Sequence, residues 1–175
     1  MKSAALLTAS LPADVSGWWA SEKYDGVRAI WNGRKLLSRN GKDLKAPAWF
    51  TKDLPNRRLD GELWLGRGRF EELVSFIQKG EWLAVKFLIF DLAEDGTVED
   101  RMRAVESLKL PYHAIAVQHV ALKDHADLDR IERLVVGMGG EGCVIRRTGS
   151  FYRPGRAGDV IKVKRLVADV DRWHG

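Results

Sequence analysis

The 175-residue chain holds a single cysteine, Cys143. An internal disulfide is therefore excluded, and so is a metal site built from several thiolates. Histidine is scarce as well: His113, His119, His125 and His174 are scattered without the spacing of a ligand set, which argues against a histidine-held metal. No apolar run approaches the length that spans a bilayer. The opening MKSAALLTASLPADVSG reaches Pro12 and Asp14 too early for a signal-peptide core. A cytoplasmic protein without a membrane partner is expected. Internal repeats, low-complexity tracts and long linkers are also missing, so the length suits one globular domain or a domain with a small subdomain.

Charge and apolar content are plentiful. Apolar residues make up 45% of the chain, enough for a continuous core, and the net charge is +5 with a pI near 9.4. The basic residues are interleaved with 24 acids, so the surface should be patched rather than uniformly basic. Such an excess is compatible with a nucleic-acid partner and requires none.

Short runs such as WWASEKY, VRAIWN, KLLSRNG and LDGELWLG have the composition of strands, with Asn32-Gly33 a two-residue hairpin turn and Asp25-Gly26 a second tight turn. RFEELVSFIQK places Phe70, Leu73, Val74 and Ile77 at helical spacing. WLAVKFLIFDL suggests a central strand buried on both faces. Helices are expected over 99–108 and 124–137, a strand at AIAVQHVAL between them, and two closing strands at GCVIRR and DVIKVKR. The class is α+β, with mainly antiparallel sheets flanked by helices.

Polar residues interrupt these apolar strands at four places: Lys23 with Asp25 and Arg28, Asp60 with Glu62, Glu141, and Lys162 with Lys164. Period-two alternation puts Asp60 and Glu62 on one face of their strand, and Lys162 and Lys164 on one face of theirs. Each pair then points either into a cleft or to solvent.

The ordered phrases EKYDGVR, SRNGK, LDGEL, FLIFD, EGCVI and IKVK resemble the successive motifs of covalent nucleotidyltransferases, specifically the ATP-dependent DNA ligases. GWWASEKYDGVRAIW, APAWF and LDGELWLGRGRF are similar to the minimal bacterial E-type ligases. The resemblance implies the ligase adenylation (nucleotidyltransferase) fold, ATP-grasp-like, and a covalent lysyl-AMP at Lys23. It further implies transfer of AMP to the 5′-phosphate of a nick, then sealing of the phosphodiester bond. Lys23 would be the nucleophile. A free lysine has a pKa of about 10.4, so cations such as Arg39, Lys162 and Lys164, or a divalent metal, would have to favour the neutral amine.

On the same resemblance Asp25 would assist sealing, while Arg28 and Arg39 would hold ribose, phosphates and the nick's 5′-phosphate. Glu62 would bind ribose or metal, and Glu141 would be a second carboxylate at Mg²⁺ or Mn²⁺. Lys162 and Lys164 would contact the α-phosphate. Phe90 would stack on adenine, with the backbone near Glu22 reading its amino edge. The partner would be nicked double-stranded DNA, bound by a monomer with Arg39 at the nick. Apart from the resemblance, Arg153 and Arg156 with the glycines beside them form a basic flexible loop that is read as a DNA-backbone contact, with a solvated loop as the rival.

Other features have simpler readings. Gly66-Arg67-Gly68-Arg69 is first of all a turn, with phosphate contact the rival. Trp31, Trp64 and Trp82 are assigned to the core, with Trp18 and Trp19 at least partly there. Cys143 is a small buried hydrophobe. Residues 1–168 are expected to form the nucleotidyltransferase domain and 169–175 the stub of an absent OB-fold domain. An RNA ligase or capping-type nucleotidyltransferase, and a non-catalytic DNA- or nucleotide-binding module, remain alternatives.

Overall fold

The computed structural model describes residues 6–7, 11–153 and 158–166. Eleven strands and four helices follow one another within them: β1 (Leu6–Leu7), β2 (Trp19–Glu22), β3 (Val27–Trp31), β4 (Leu36–Ser38), α1 (Ala48–Thr51), β5 (Leu59–Trp64), α2 (Phe70–Lys79), β6 (Lys86–Leu92), α3 (Val98–Glu106), β7 (Ala114–Ala116), β8 (Val120–Ala121), α4 (His125–Gly137), β9 (Cys143–Arg146), β10 (Val160–Val163) and β11 (Arg165–Leu166). The expected boundary at 168, the 169–175 stub and Arg156 lie outside the described residues.

Two sheets carry the architecture. One has the order β4-β3-β5-β6-β7, the other β10-β9-β2-β8, and β1 with β11 forms a small separate pair. All pairings are antiparallel except β6 with the edge strand β7. Each large sheet has its own core. Ala29, Leu59, Leu63, Phe87 and Ile89 of the first pack with Phe50, Leu73 and Trp82. Ala20, Cys143, Ile145 and Val163 of the second pack with Leu128 and Val135 of α4. Alternation along the strands then turns Arg28, Asp60 and Glu62 of the first sheet, and Ser21, Val144, Arg146 and Lys162 of the second, away from these cores.

The helices stand where periodicity put them. α3 begins in a capping box in which the Thr97 side chain and Asp100 serve each other's backbone amides, and Asp124 caps α4. The short α1 had no sequence signal strong enough to mark it.

Several expectations need correction. AIAVQHVAL is two strands in two different sheets, β7 and β8, because Val117–His119 crosses from one sheet to the other. Asp25-Gly26 makes no hairpin, since β2 and β3 also belong to different sheets. Its glycine is needed for close approach: a Cβ at Gly26 would lie 2.1 Å from the Leu63 carbonyl oxygen of β5. Asn32-Gly33 does open a hairpin, but the connection is four residues long, held by Asn32 Oδ1 accepting from the amides of Arg34 and Lys35 at 3.0 and 2.8 Å. Trp64 is half-buried beside Tyr24, ring centroids 5.5 Å apart, rather than in the core. Trp31, Trp82 and Trp18 are buried, and Trp19 is half-buried with its indole N–H donated to Glu99 at 2.9 Å. Cys143 is fully buried, and burial pushes its thiol up to about 12, which makes it inert.

Candidate active site

Lys23 follows the last residue of β2, its amide bonded to the Gly142 carbonyl at 2.8 Å. This bond ties the lysine to the turn that leads into β9. Gly142 (φ +135) suits that turn, since a Cβ there would lie 2.2 Å from the Val163 carbonyl oxygen. The Lys23 side chain is 15% exposed and its ammonium donates to the Glu141 carboxylate, which also takes Lys164 Nζ at 3.2 Å. Burial pushes Glu141 up, but the two ammonium groups outweigh it and hold the carboxyl below its ordinary range. Cations were expected to crowd Lys23. Lys162 does come close enough for mutual repulsion, but the group in contact with Nζ is a carboxylate.

Facing this cluster is the polar row of β3 and β5. Arg28 Nε and Nη2 each donate to a separate oxygen of Asp60 at 2.5 Å, and the Tyr152 hydroxyl adds a third bond to Asp60 at 2.8 Å. Asp60 has no exposed surface, so this buried carboxylate fixes Arg28 as a fork. Burial and the Asp60 charge push the Tyr152 hydroxyl above its ordinary range.

Glu62 is placed opposite Arg28 in the ladder. Burial raises its carboxyl from the ordinary 4.5 to about 7, against the pull of Arg28 and Lys23. The native chain therefore keeps a proton that the unfolded chain loses between those values, so the stability at this site is whole below pH 4.5 and declines as the pH rises to about 7. Glu62→Gln is expected to melt like the parent near pH 5 and to be more stable at pH 8 by about 2 kcal/mol, once partial exposure is discounted. Thermal melts without nucleotide at both pH values check this, and an equal gap at the two would contradict it.

Phe90 is the extra residue of a β-bulge: Asp60 pairs with Asp91 and Gly61 with Ile89, which leaves Phe90 out of register. The guanidinium carbons of Arg28 and Arg146 lie 4.7 and 5.2 Å from its ring centroid. Burial together with the neighbouring Lys23 and Arg39 charges pulls Lys162 below the ordinary lysine range, so Arg39 belongs to the same electrostatic neighbourhood. Asp25 is half-buried in the crossover between the sheets, and Arg153 is exposed. Glu22 is bound by Arg67, Nε and Nη2 at 2.9 and 2.7 Å, and Arg69 is bound to Glu72, so the GRGR segment is a turn whose arginines are already committed to carboxylates.

Lys23, Arg28, Glu62, Phe90, Glu141, Lys162 and Lys164 thus come together between the sheets, with Arg39 at the rim. The sequence reading missed Tyr152, Ser21, His119 and Arg146. Only Arg146 had a signal, a cation two residues beyond Val144 on the same face of an otherwise apolar strand. Among the described residues no three His, Cys, Asp or Glu side chains come together as a metal cage. A carboxylate held ionised by two ammonium groups, one of which also acts on Glu62, still fits a divalent cation that takes its other ligands from phosphate.

A lysine just past the end of a strand, between two sheets, with an arginine fork on one side and Lys162 and Lys164 on the other, is the arrangement that the resemblance to the ligase nucleotidyltransferase domain calls for. No protein-family model matches the chain. It is 34% identical over 157 residues to a DNA ligase of Haemophilus influenzae, covering 86% of this chain and 59% of that protein. It is 30% identical to the multifunctional non-homologous end joining protein LigD of Pseudomonas aeruginosa, over 85% of this chain and 20% of that protein. A solved Lig E DNA ligase superposes with a TM-score of 0.79 at 34% identity, covering 86% of this chain and 63% of that one. Chlorella virus DNA ligase-adenylate shares the fold, with a TM-score of 0.75 at 24% identity over 85% of this chain and 62% of that one. The chain is similar to DNA ligases over most of its own length, and its fold is that of the nucleotidyltransferase domain of solved DNA ligases. It spans 59% of the length of the Haemophilus influenzae ligase and 63% of that of the solved Lig E ligase.

Proposed function

We propose that the protein is the catalytic domain of an ATP-dependent DNA ligase, acting as a cytoplasmic monomer on nicked duplex DNA. The observation that carries this is the convergence of Lys23 with Glu141, Lys164 and Lys162 opposite the Arg28–Asp60 fork and Glu62. The neutral amine of Lys23 attacks the α-phosphorus of ATP. A P–N bond forms as the bond to pyrophosphate breaks, and the amine proton leaves to solvent. A 5′-phosphate oxygen of the nick then displaces the lysine from AMP, and the 3′-hydroxyl displaces AMP in turn.

The remaining residues take supporting parts. Lys162 and Lys164 meet charge on the α-phosphate, Arg28 and Glu62 hold the ribose side, Phe90 stacks on the base, and the backbone at Glu22 borders it. Glu141 and Glu62 would hold Mg²⁺ or Mn²⁺, which supplies neutralisation of phosphate charge. Asp25 serves the sealing step. Arg39, Arg153 and Arg156 contact the DNA backbone, so DNA affinity should fall as salt rises.

Incubation with ATP labelled at the α-phosphate, and separately at the γ-phosphate, tests the reading. The α-label is expected to remain on the denatured protein and to map to the Lys23 peptide, while the γ-label is released. Label on another peptide, or retention of the γ-label, would overturn it.

A further inference from the structure

β5 does not run straight into α2. It ends at Trp64, and Gly66 and Gly68 then take φ values of +145 and +70, a region that residues with a side chain enter only at a cost. The arginine between these glycines and the one after them go separate ways. Arg69 stays local, donating from Nη1 to the Leu65 carbonyl at 3.2 Å and pairing with Glu72 in the first turn of α2. Arg67 leaves its own sheet. Its Nε and Nη2 reach the two oxygens of Glu22, 45 positions away at the end of β2, at 2.9 and 2.7 Å.

The turn from α4 to β9 leaves room for this crossing. A Cβ at Gly140 would stand 3.0 Å from Glu22 Oε1 and 2.5 Å from Val135 Cγ1, and one at Gly139 would meet the Arg67 stem at 3.9 Å. The Glu22 side chain is 12% exposed and that of Arg67 33%. A two-pronged bond of this kind fixes direction as well as distance. Its effect on stability is small, because solvent reaches the guanidinium.

What the pair supplies is position. The alternation that turns Ser21 to the cleft turns Glu22 to the opposite face of β2. Glu22 and Tyr24 flank Lys23, and both are held from the first sheet: Glu22 by Arg67, and Tyr24 by the Trp64 ring, edge to face at 5.5 Å. Lys23 is held from the second sheet, through its amide and the Gly142 carbonyl at 2.8 Å. Three successive residues are thus anchored by three separate segments, at the point where the chain leaves one sheet for the other. The lysine stem is flexible along its four carbons. Glu141 holds its far end, and these anchors fix where it starts and which way it points.

We propose that Arg67 is a positioning residue for the nucleophile: by fixing Glu22 across the two sheets it sets the direction in which Lys23 enters the cleft, without itself touching nucleotide. This rests on the reading of Lys23 as the residue that attacks ATP. An amine moved by about 1 Å from its line to phosphorus reacts up to about a hundredfold more slowly, although the nucleotide binds as before. The loss falls on one step, since sealing of a nick that already carries AMP does not use the amine.

Arg67→Met keeps the stem beside Gly139 and removes the fork. Its rate of lysyl-AMP formation at saturating ATP is expected to fall by about ten- to a hundredfold. The ATP concentration at half-maximal rate and the Kd for AMP should stay within about twofold of the parent, and sealing of the pre-adenylated nick within about threefold. Arg67→Lys, which keeps the charge without the fork, should recover part of the rate. Glu22→Gln should be slowed like Arg67→Met, and the double variant no further than either single one. A phosphate contact would instead raise the half-maximal ATP concentration, and a merely structural role would lower labelling, AMP binding and sealing together. Either pattern, or losses that multiply in the double variant, overturns the proposal. Should Arg67→Met fail to fold, Arg67→Gln and Glu22→Gln carry the same comparison. A parent chain that takes no label at Lys23 sinks the ligase reading and the Arg67 assignment with it, whereas a labelled parent with an unaffected Arg67→Met sinks the assignment alone.

Discussion

Lys23→Arg is expected to reduce covalent labelling from ATP by more than roughly a thousandfold while the chain stays folded. The guanidinium keeps the positive charge that Glu141 and the Gly142 turn are built around, so the ion pair and the amide bond to the Gly142 carbonyl persist. What it lacks is a nucleophile, because arginine stays protonated at any accessible pH. Lys23→Ala would be a poorer probe, since it leaves Glu141 with Lys164 as its remaining ammonium partner among those in contact and alters the local field as well as the chemistry. The measurement pairs the labelled-ATP gel with a thermal melt and with sealing of a nick that already carries AMP. Sealing bypasses the attack by Lys23 and should survive in part. A variant that labels at more than a few per cent of the parent rate would remove Lys23 as the nucleophile, and one that loses sealing as completely as labelling would mean the arginine disrupts the site itself.

Much of that site was legible because strand alternation is a strong constraint. Once 59–64 and 160–163 are strands, Asp60 and Glu62 must share a face, and so must Val160 and Lys162, whereas Lys164 lies one residue past the end of that strand. Helices α2, α3 and α4 were legible for the same reason, since an apolar stripe at helical spacing has one way to be buried. Sheet membership was not. Asp25-Gly26 has the composition of a hairpin turn, and only the β5 backbone passing against Gly26 shows that the glycine serves a crossover. AIAVQHVAL likewise reads as one strand because apolar content says nothing about which sheet a segment joins, and Val117 bonds back to Ile89 just before the chain departs for β2.

The polar floor of the cleft was hidden for a different reason. Tyr152 reaches Asp60 across 92 positions and Arg146 reaches Ser21 across 125, so neither pairing has a local signature. Phe90 depends on a bulge, and a bulge is a decision made by the partner strand as much as by the residue it displaces. In both cases the sequence supplies the right residue types while tertiary pairing chooses their direction.

Stability should depend most on a pair at the back of this floor, and Arg101→Met is expected to cost about 3–5 kcal/mol. Arg101 of α3 is 4% exposed and its partner Asp91 of β6 is 10% exposed. The guanidinium donates to the two Asp91 oxygens at 2.6 and 3.3 Å, to the Gly96 carbonyl at 2.5 Å and to the Ser150 carbonyl at 3.2 Å. One side chain thereby joins α3, the strand that carries Phe90 and the segment that leads to Tyr152. Removing it strands a buried carboxylate and two carbonyls, which is the costly way to break an ion pair. For a chain of this size the melting temperature should fall by roughly 6–20 °C. Combining Arg101→Met with Asp91→Leu removes the stranded charge and should recover part of the loss, since an apolar pair of similar volume fills the same space without desolvating ions. The single variant should also bind nucleotide more weakly than its stability alone accounts for, because Ser150 is two residues from the tyrosine that holds Asp60, and Asp60 holds Arg28. Thermal and denaturant unfolding of the two variants beside the parent measure this. A loss under 1 kcal/mol in the single variant, or no recovery in the double, would show that the floor is held by its backbone contacts rather than by the ion pair.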